Sequence, residues 1–152
     1  MSNGLKEGAA TQRICCILAD GSTVTWGYPA HGGDSSEVQD QLKGVKRLQA
    51  NKSALVGILV DGSVVTWGQS DYGGDSSRVQ DQLKSVQQVQ AAQSAFAAIL
   101  ADGSVVTWGK PDSGGDCLAV SDQFAYVCIC AVSLAQSHLA VQNPTRFCLA
   151  YV

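Results

Sequence analysis

The sequence predicts an all-β fold built from tandem units, and three observations predict it. The octapeptide "DGSVVTWG" stands at 61–68 and again at 102–109, and "DGSTVTWG" stands at 20–27. The copies recur at a constant spacing of 41 residues, as do the Gly-Gly-Asp triplets that begin at Gly32, Gly73 and Gly114. Each Asp-Gly pair lies between apolar runs, which is a strong signal for a β-hairpin. A fixed period of this length is typical of repeats that bury their apolar faces against one another.

Composition places the chain among globular proteins and excludes two classes of partner. Of its 152 residues, 45% are hydrophobic and 15% are charged, which suffices for a packed core. The net charge of −3 gives no electrostatic footprint for nucleic acid or anionic lipid. The chain contains one basic cluster, formed by Lys43, Lys46, Arg47 and Lys52. Of the four equivalent positions in the next unit, only Lys84 is basic. We therefore interpret it as a solvated face rather than a nucleic-acid patch.

Each unit begins with a predicted hairpin, such as Ala95–Gly109. A two-residue type I′ turn is expected at Asp-Gly, because Gly adopts positive φ freely and Asp tolerates it. On the second strand Val106 and Trp108 share one face, since side chains alternate along a strand. We expect this face, with its Trp, to fill the space between units. The residues that the turn and strand end require are Asp20, Gly21, Trp26, Gly27, Asp61, Gly62, Trp67, Gly68, Asp102, Gly103, Trp108 and Gly109.

A variable segment of four residues follows each Trp-Gly pair. It reads "YPAH" at 28–31, "QSDY" at 69–72 and "KPDS" at 110–113, and the glycines around it predict a loop. Loops of stacked repeats commonly carry recognition, although unconstrained drift explains the same variability. The candidate residues for binding a partner are Tyr28, His31, Gln69, Asp71, Tyr72, Lys110 and Asp112.

The rest of each unit predicts a short helical turn and a third strand. "SEVQDQL" at 36–42 offers Ser36 as N-cap, and Asp34, Asp75 and Asp116 are expected to cap the turn through backbone N–H groups. "GVKRLQA" at 44–50 and "SVQQVQA" at 85–91 predict the third strand, with apolar residues at an uneven spacing that weakens the pattern.

The organisation along the chain follows from these units. We expect an N-terminal tail at 1–13, units at about 14–54, 55–95 and 96–116 onward, and a degenerate fourth repeat or cap at 117–152. Within the last segment "TRFCLAYV" at 145–152 is expected to pair as a final strand. The apolar stretch Phe124–Val141 reaches the lower limit of length for a membrane span, but polar residues interrupt it, so a membrane protein is not expected.

Cysteine usage and the amino terminus predict an intracellular protein, in the cytoplasm or nucleus, with an organelle as the alternative. Residues 1–13 lack the pattern of a secretory signal. The six cysteines contain no C-x-x-C pair and only His31 and His138 could supplement them, so buried free thiols are expected rather than zinc. The cysteines are Cys15, Cys16, Cys117, Cys128, Cys130 and Cys148.

With these residues in view, the chain resembles the RCC1-like repeat family, whose blades carry an apolar strand, an Asp-Gly turn, a strand ending in Trp-Gly and a Gly-rich stretch. "ILADGSVVTWGKPDSGG" at 99–115 is the closest stretch. The resemblance implies an incomplete β-propeller-like arc of about three blades. Repeats of 41 residues are short for this family, and three blades do not close its ring. WD40 repeats match the period better but end on Trp-Asp.

No catalytic constellation is visible, so we expect a non-enzymatic scaffold that binds another protein, with self-association through open repeat ends as a further option. Asp20, Asp61 and Asp102 are interpreted as turn residues rather than acid–base groups, and no metal or cofactor is expected. The resemblance implies one alternative: a fragment or regulatory arm related to HERC-type ubiquitin ligases or to guanine-nucleotide exchange factors. A glycan-binding repeat protein, with the loop and Trp of each unit as a weak site, is the alternative from another class.

Overall fold

A computed structural model describes residues 12–116 and 147–150 of the chain, the latter as backbone only. This part of the protein is all-β, as predicted, with three small antiparallel sheets. Its strands are β1 (Arg13–Ile17), β2 (Thr23–Gly27), β3 (Val45–Ala50), β4 (Ala54–Leu59), β5 (Val64–Gly68), β6 (Val86–Ala91), β7 (Ala95–Leu100), β8 (Val105–Gly109) and β9 (Phe147–Ala150). Within the same residues, no helix is long and apolar enough to cross a membrane.

Strand order shows how each sheet is completed. The second sheet runs β3-β4-β5 and the third runs β6-β7-β8, so the strand before each hairpin supplies the third strand. The first sheet runs β2-β1-β9, with β9 in the place that β3 holds in the second. Ala150 lies opposite Ile14, as Ala50 lies opposite Leu55. The predicted final strand is therefore confirmed over Phe147–Ala150. The rest of the predicted degenerate repeat, including the apolar stretch 124–141, lies outside the described residues.

The Asp-Gly turns differ from the prediction. Leu18 N donates to Ser22 O at 2.8 Å and Gly21 N donates to Leu18 O at 3.0 Å, which makes a three-residue loop. Gly21 has φ 78°, but Asp20 does not have a positive φ. The prediction of a two-residue type I′ turn is therefore wrong. The loop instead follows the pattern of a type I turn that ends in a left-handed glycine. The same bonds recur at Asp61 and Asp102.

The serine that follows each Asp-Gly pair explains why this turn type forms. Asp20 Oδ1 accepts hydrogen bonds from the backbone N of Ser22 at 2.9 Å and from its Oγ at 2.6 Å. A carboxylate held by its own backbone two residues on is a common turn device, and it keeps Asp at ordinary φ. Ser63 and Ser104 donate in the same way to their own Asp residues.

The third strand and the helical turn form, with corrections of detail. β3 and β6 each carry a register shift, between Val45 and Arg47 in β3 and between Val86 and Gln88 in β6. A bulge adds one residue to a strand, and this explains the uneven apolar spacing.

The helical turn at Ser36–Val38 is a 3₁₀ turn whose N-cap is Ser35, not Ser36 as predicted. Ser36 N donates instead to Asp34 Oδ1 at 2.9 Å, and Ser77 N donates to Asp75 Oδ1 at 2.8 Å. The capping bonds predicted for Asp34 and Asp75 are thus confirmed. The corresponding donor for Asp116 lies outside the described residues.

The apolar core lies between successive sheets rather than within any one of them. One cluster joins residues of the first unit to the second sheet, and the other joins the second unit to the third sheet. The first contains Cys15, Leu42, Val45, Leu48, Leu55, Val65 and Trp67. The second contains Ala54, Val56, Ile58, Val64, Leu83, Val86, Val89, Ala91, Phe96, Ala98, Val106 and Trp108. A sheet of three short strands cannot bury both faces alone, so each depends on its neighbour.

Candidate interaction surface

The variable segments form three 3₁₀ turns with the same backbone. These turns cover Pro29–His31, Ser70–Tyr72 and Pro111–Ser113. Each ends at a glycine in the left-handed region, with φ 90° at Gly32, 91° at Gly73 and 93° at Gly114. In each turn the N–H of that glycine donates to the carbonyl of the first turn residue. The predicted loops are therefore ordered turns that present different side chains on one repeated scaffold.

The structure divides the predicted binding residues into two groups. The exposed ones are Tyr28, Asp71, Lys110 and Asp112, and the half-buried ones are His31, Gln69 and Tyr72. Tyr72 packs against the second core cluster, and its carbonyl accepts a hydrogen bond from Asn51 Nδ2 at 2.6 Å. The ring of His31 meets the ring of Tyr28 edge to face, with centroids 4.8 Å apart. Within the three four-residue segments, the exposed positions are thus 28–30, 70–71 and 110–112.

Two of the three tryptophans lie in the core, as predicted. Trp67 is 5% exposed and Trp108 is 4% exposed. Trp67 Nε1 donates to Gly32 O at 3.1 Å, and Trp108 Nε1 donates to Gly73 O at 3.0 Å. A buried indole N–H needs an acceptor, and here the 3₁₀ turn of the preceding unit supplies it. Because both rings are buried, neither can stack on a sugar as the glycan-binding alternative would require.

Trp26 departs from the prediction. It is 48% exposed and its neighbour Val24 is 42% exposed, although both occupy the strand positions that Trp67 and Val65 hold in the next unit. Those two are buried because the turn and apolar face of the first unit cover them. The equivalent cover is absent from the first sheet within residues 12–116. The expectation that all three tryptophans fill the core is therefore wrong for Trp26.

Two buried polar residues, Arg13 and Asn51, are not predicted from the sequence. Arg13 is 4% exposed, and its guanidinium donates to the carbonyls of Lys52 at 2.9 Å, Ala54 at 3.1 Å and Asn51. Asn51 Oδ1 in turn accepts from the backbone N of Ser53 and of Ala54, both at 2.9 Å. Arg13 therefore ties the first strand to the β3–β4 turn. The sequence does show that Arg13 is exceptional, because Ala54 and Ala95 hold the same position in the other units.

A second missed feature is a polar network that repeats in two units. Thr25 Oγ1 donates to Ser35 Oγ, which donates to Gln39 Oε1, each at 2.8 Å. Gln39 Nε2 completes the network by donating to Thr23 O at 2.9 Å. Thr66, Ser76 and Gln80 repeat the arrangement. In the third unit Cys117 and Ser121 replace the Ser and Gln in sequence, and Thr107 Oγ1 has no partner within the described residues.

The described cysteines differ in state. Cys15 is a free, buried thiol, and burial raises its pKa to about 12 although the nearby Arg13 acts in the opposite direction. A thiol so seldom ionised is a poor nucleophile. Cys16 is disulfide-bonded, and its Cα lies opposite that of Cys148. The expectation of free thiols is therefore wrong for Cys16.

The repeated aspartates behave as turn residues. The hydroxyl and backbone N–H of Ser22 lower the pKa of the Asp20 carboxyl below its ordinary 3.8, and Ser63 and Ser104 do the same for Asp61 and Asp102. All three carboxyls therefore stay ionised at neutral pH, satisfied by their own loops. Among residues 12–116 and 147–150, no group of three or more His, Cys, Asp or Glu side chains could hold a metal ion.

No known family model matches the chain, and no curated protein matches it.

Proposed function

We propose that this chain is an RCC1-like repeat scaffold, an arc of propeller-like blades that binds another protein through its three 3₁₀ turns. One observation carries the proposal: three turns of the same backbone, each ending at a left-handed glycine, present different exposed side chains. An invariant frame with variable exposed positions is how repeat proteins commonly build recognition surfaces.

The chemistry of the exposed positions suggests a mixed surface. The first turn offers the Tyr28 ring, which is 41% exposed, beside Pro29. The second offers the carboxylate of Asp71, and the third offers Lys110 and Asp112. Tyr supplies rigid contact area at low entropic cost, and the charges add orientation. The proposed partner is therefore a protein surface with an apolar pocket flanked by groups of both charges.

A capture experiment with matched variants tests this proposal. The triple variant Tyr28→Ser, Asp71→Ser and Lys110→Ser changes one exposed residue in each four-residue variable segment. The control variant Lys43→Ser, Lys46→Ser and Arg47→Ser changes three exposed residues elsewhere. Proteins captured from native extract by wild-type chain are quantified by mass spectrometry beside both variants.

Partners of the turns are expected to fall at least about tenfold with the turn variant, since loss of central contacts costs more than 1 kcal/mol each. The control variant is expected to retain them. Identical captured sets for wild-type chain and turn variant would contradict the proposal.

A further inference from the structure

The contact between successive units is the same in both places where it occurs. One side is a cross-strand pair that contains Trp, with Leu55 opposite Trp67 in one contact and Phe96 opposite Trp108 in the other. The other side is the preceding 3₁₀ turn, whose glycine carbonyl accepts the indole N–H. A Cβ at Gly73 would lie 2.7 Å from the Phe96 ring and 3.3 Å from Trp108. The glycine is thus needed because the pair approaches so closely.

The first sheet carries the same pair, and among the described residues no turn lies against it. Ile14 lies opposite Trp26, and Trp26 is 48% exposed where Trp108 is 4% exposed. Together with Val24, these residues form an apolar patch, which we call the leading face. Exposed apolar patches of this kind mark interaction surfaces.

The third unit carries the matching half. Its turn ends at Gly114 with the same left-handed φ as Gly32 and Gly73, but Gly114 is exposed whereas the other two are buried. Within the described residues, nothing lies within 4 Å of the position a Cβ would take on Gly114.

The sheet face beside this turn is also less covered than its counterpart in the second unit. Val56, Ile58 and Val64 are buried there, whereas their equivalents are half-buried. These equivalents, with Gly114, form what we call the trailing face: Ala97, Ile99, Val105 and Gly114.

We propose that two copies of this chain associate head to tail, the leading face of each packing on the trailing face of the other, with Trp26 Nε1 donating to the Gly114 carbonyl. The occupant is a second copy because the two faces are complementary halves of a contact that the chain already makes twice with its own residues. The contact is heterologous, so it closes into a ring only where the rotation permits.

The number of copies follows from the count of sheets. Counting only the sheets of the described residues, two copies contribute six and three copies would contribute nine, whereas closed propellers hold about four to eight blades. A ring of two therefore fits the proposed repeat scaffold. This step rests on the propeller-like arrangement proposed above, whereas the contact itself rests only on the two faces.

Light scattering after size exclusion tests the association with the full chain. At about 100 µM chain, enough to populate complexes with Kd in the micromolar range, the mass is expected to be twice the 15.8 kDa of one chain. Trp26→Ala removes the leading side chain. Gly114→Asn blocks the trailing face, because Asn tolerates the left-handed region better than other side chains and its Cβ meets open space in one copy. Each variant is expected to run as a single chain.

A control and a mixing experiment make the test specific. Val60→Ser removes a large apolar side chain that is 75% exposed on the β4–β5 loop, and is expected to leave the dimer unchanged. Trp26→Ala retains an intact trailing face, and Gly114→Asn retains an intact leading face. Mixed in equal amounts, they are expected to form a heterodimer through one contact, at least about tenfold weaker than the wild-type dimer, whose two contacts form together.

Several results would overturn the proposal, provided that circular dichroism shows each variant folded. A wild-type chain that stays single at this concentration excludes the association. A dimer that survives Trp26→Ala or Gly114→Asn places the interface elsewhere. A mixture of the two variants that associates no more strongly than either variant alone, at the highest concentration at which the chains stay soluble, excludes head-to-tail contact. The proteins captured through the 3₁₀ turns are measured separately, so a failure of the scaffold proposal shows in that assay and not in this one.

Discussion

At the scale of single residues, serine donors decide how the repeated aspartates act. Ser22, Ser63 and Ser104 each place two donors on the carboxylate two residues before them. These bonds favour the ionised form, so each carboxyl has a lower pKa in the folded chain than in the unfolded one. Their stabilising contribution is complete above the unfolded value of 3.8 and is lost as the pH falls through the folded value.

A triple variant Asp20→Asn, Asp61→Asn and Asp102→Asn tests this dependence. Asn keeps an accepting oxygen but does not titrate, so its free energy of unfolding is expected to fall less steeply with acid than that of the wild type. Urea unfolding between about pH 5 and about pH 2.5 measures both slopes. Removing the hydroxyls with Ser22→Ala, Ser63→Ala and Ser104→Ala should flatten the slope in part. Equal slopes for wild type and the Asn variant would show that the loops do not hold the carboxylates.

Arg13 is the residue-scale link between the first and second units. Arg13→Met keeps an apolar stem but removes the donors to the carbonyls of Asn51, Lys52 and Ala54. Ala54 O keeps its hydrogen bond from Asn51 N at 3.0 Å, and each buried carbonyl left unsatisfied costs about 1 to 3 kcal/mol, so a loss of about 3 kcal/mol in the free energy of unfolding is expected. The exposed neighbour provides the control, since Lys52→Met leaves its backbone carbonyl in place and should change stability by less than about 0.5 kcal/mol. Urea denaturation measures the free energy of unfolding of both variants. A similarly small loss of stability in both would contradict the role of Arg13.

At the scale of elements, the glycines around each 3₁₀ turn test how closely the backbone packs. A Cβ on Gly74 would lie 2.5 Å from the backbone carbon of Gly68, and backbone cannot move aside as a side chain can. Gly74→Ala is therefore expected to lower the free energy of unfolding by about 2 to 3 kcal/mol through overpacking.

Gly57→Ala is the matched control in a central strand. The nearest atom to its Cβ is Leu42 Cδ2 at 3.4 Å, an ordinary contact with a flexible side chain. The change is expected to stay within about 1 kcal/mol and to be neutral or stabilising, because Ala lowers the entropy of the unfolded chain. Thermal and urea unfolding compare the two variants. A loss at Gly57→Ala as large as at Gly74→Ala would contradict the steric argument.

The sequence predicts the hairpins but not the turn type or the exposure of Trp26. The hairpins could be predicted because Asp-Gly and Trp-Gly act over a few residues. The turn type could not be predicted, since it depends on the hydrogen bonds that each serine donates to the Asp carboxylate two residues before it. Exposure of Trp26 was missed because burial of this strand position is set by the unit before it, a non-local property. The partner-binding role of the variable turns and the RCC1-like arrangement remain proposals.

At the scale of the whole molecule, β9 joins the two ends of the described chain in one sheet. Deleting residues 147–152 leaves β1 with β2 as its only neighbour in that sheet. Amides of Ile14–Ile17 are then expected to exchange with deuterium at least about tenfold faster, because local opening becomes easier at an edge strand. Exchange in β4 and β7 is expected to stay unchanged, since each keeps two neighbours. Mass spectrometry of peptic fragments measures this, and unchanged protection of β1 would contradict the pairing.

The same pairing sets an order of events during synthesis. The second and third sheets consist of strands that follow one another closely, so each can form as soon as its own unit has left the ribosome. The first sheet takes β2 and β1 from the start of the described chain but must wait for Phe147–Ala150. Chains grow at about 5 to 20 residues per second, so the oldest hairpin stays incomplete for several seconds while younger sheets are already packed. The first hairpin of the described chain is thus completed only after the second and third sheets have formed.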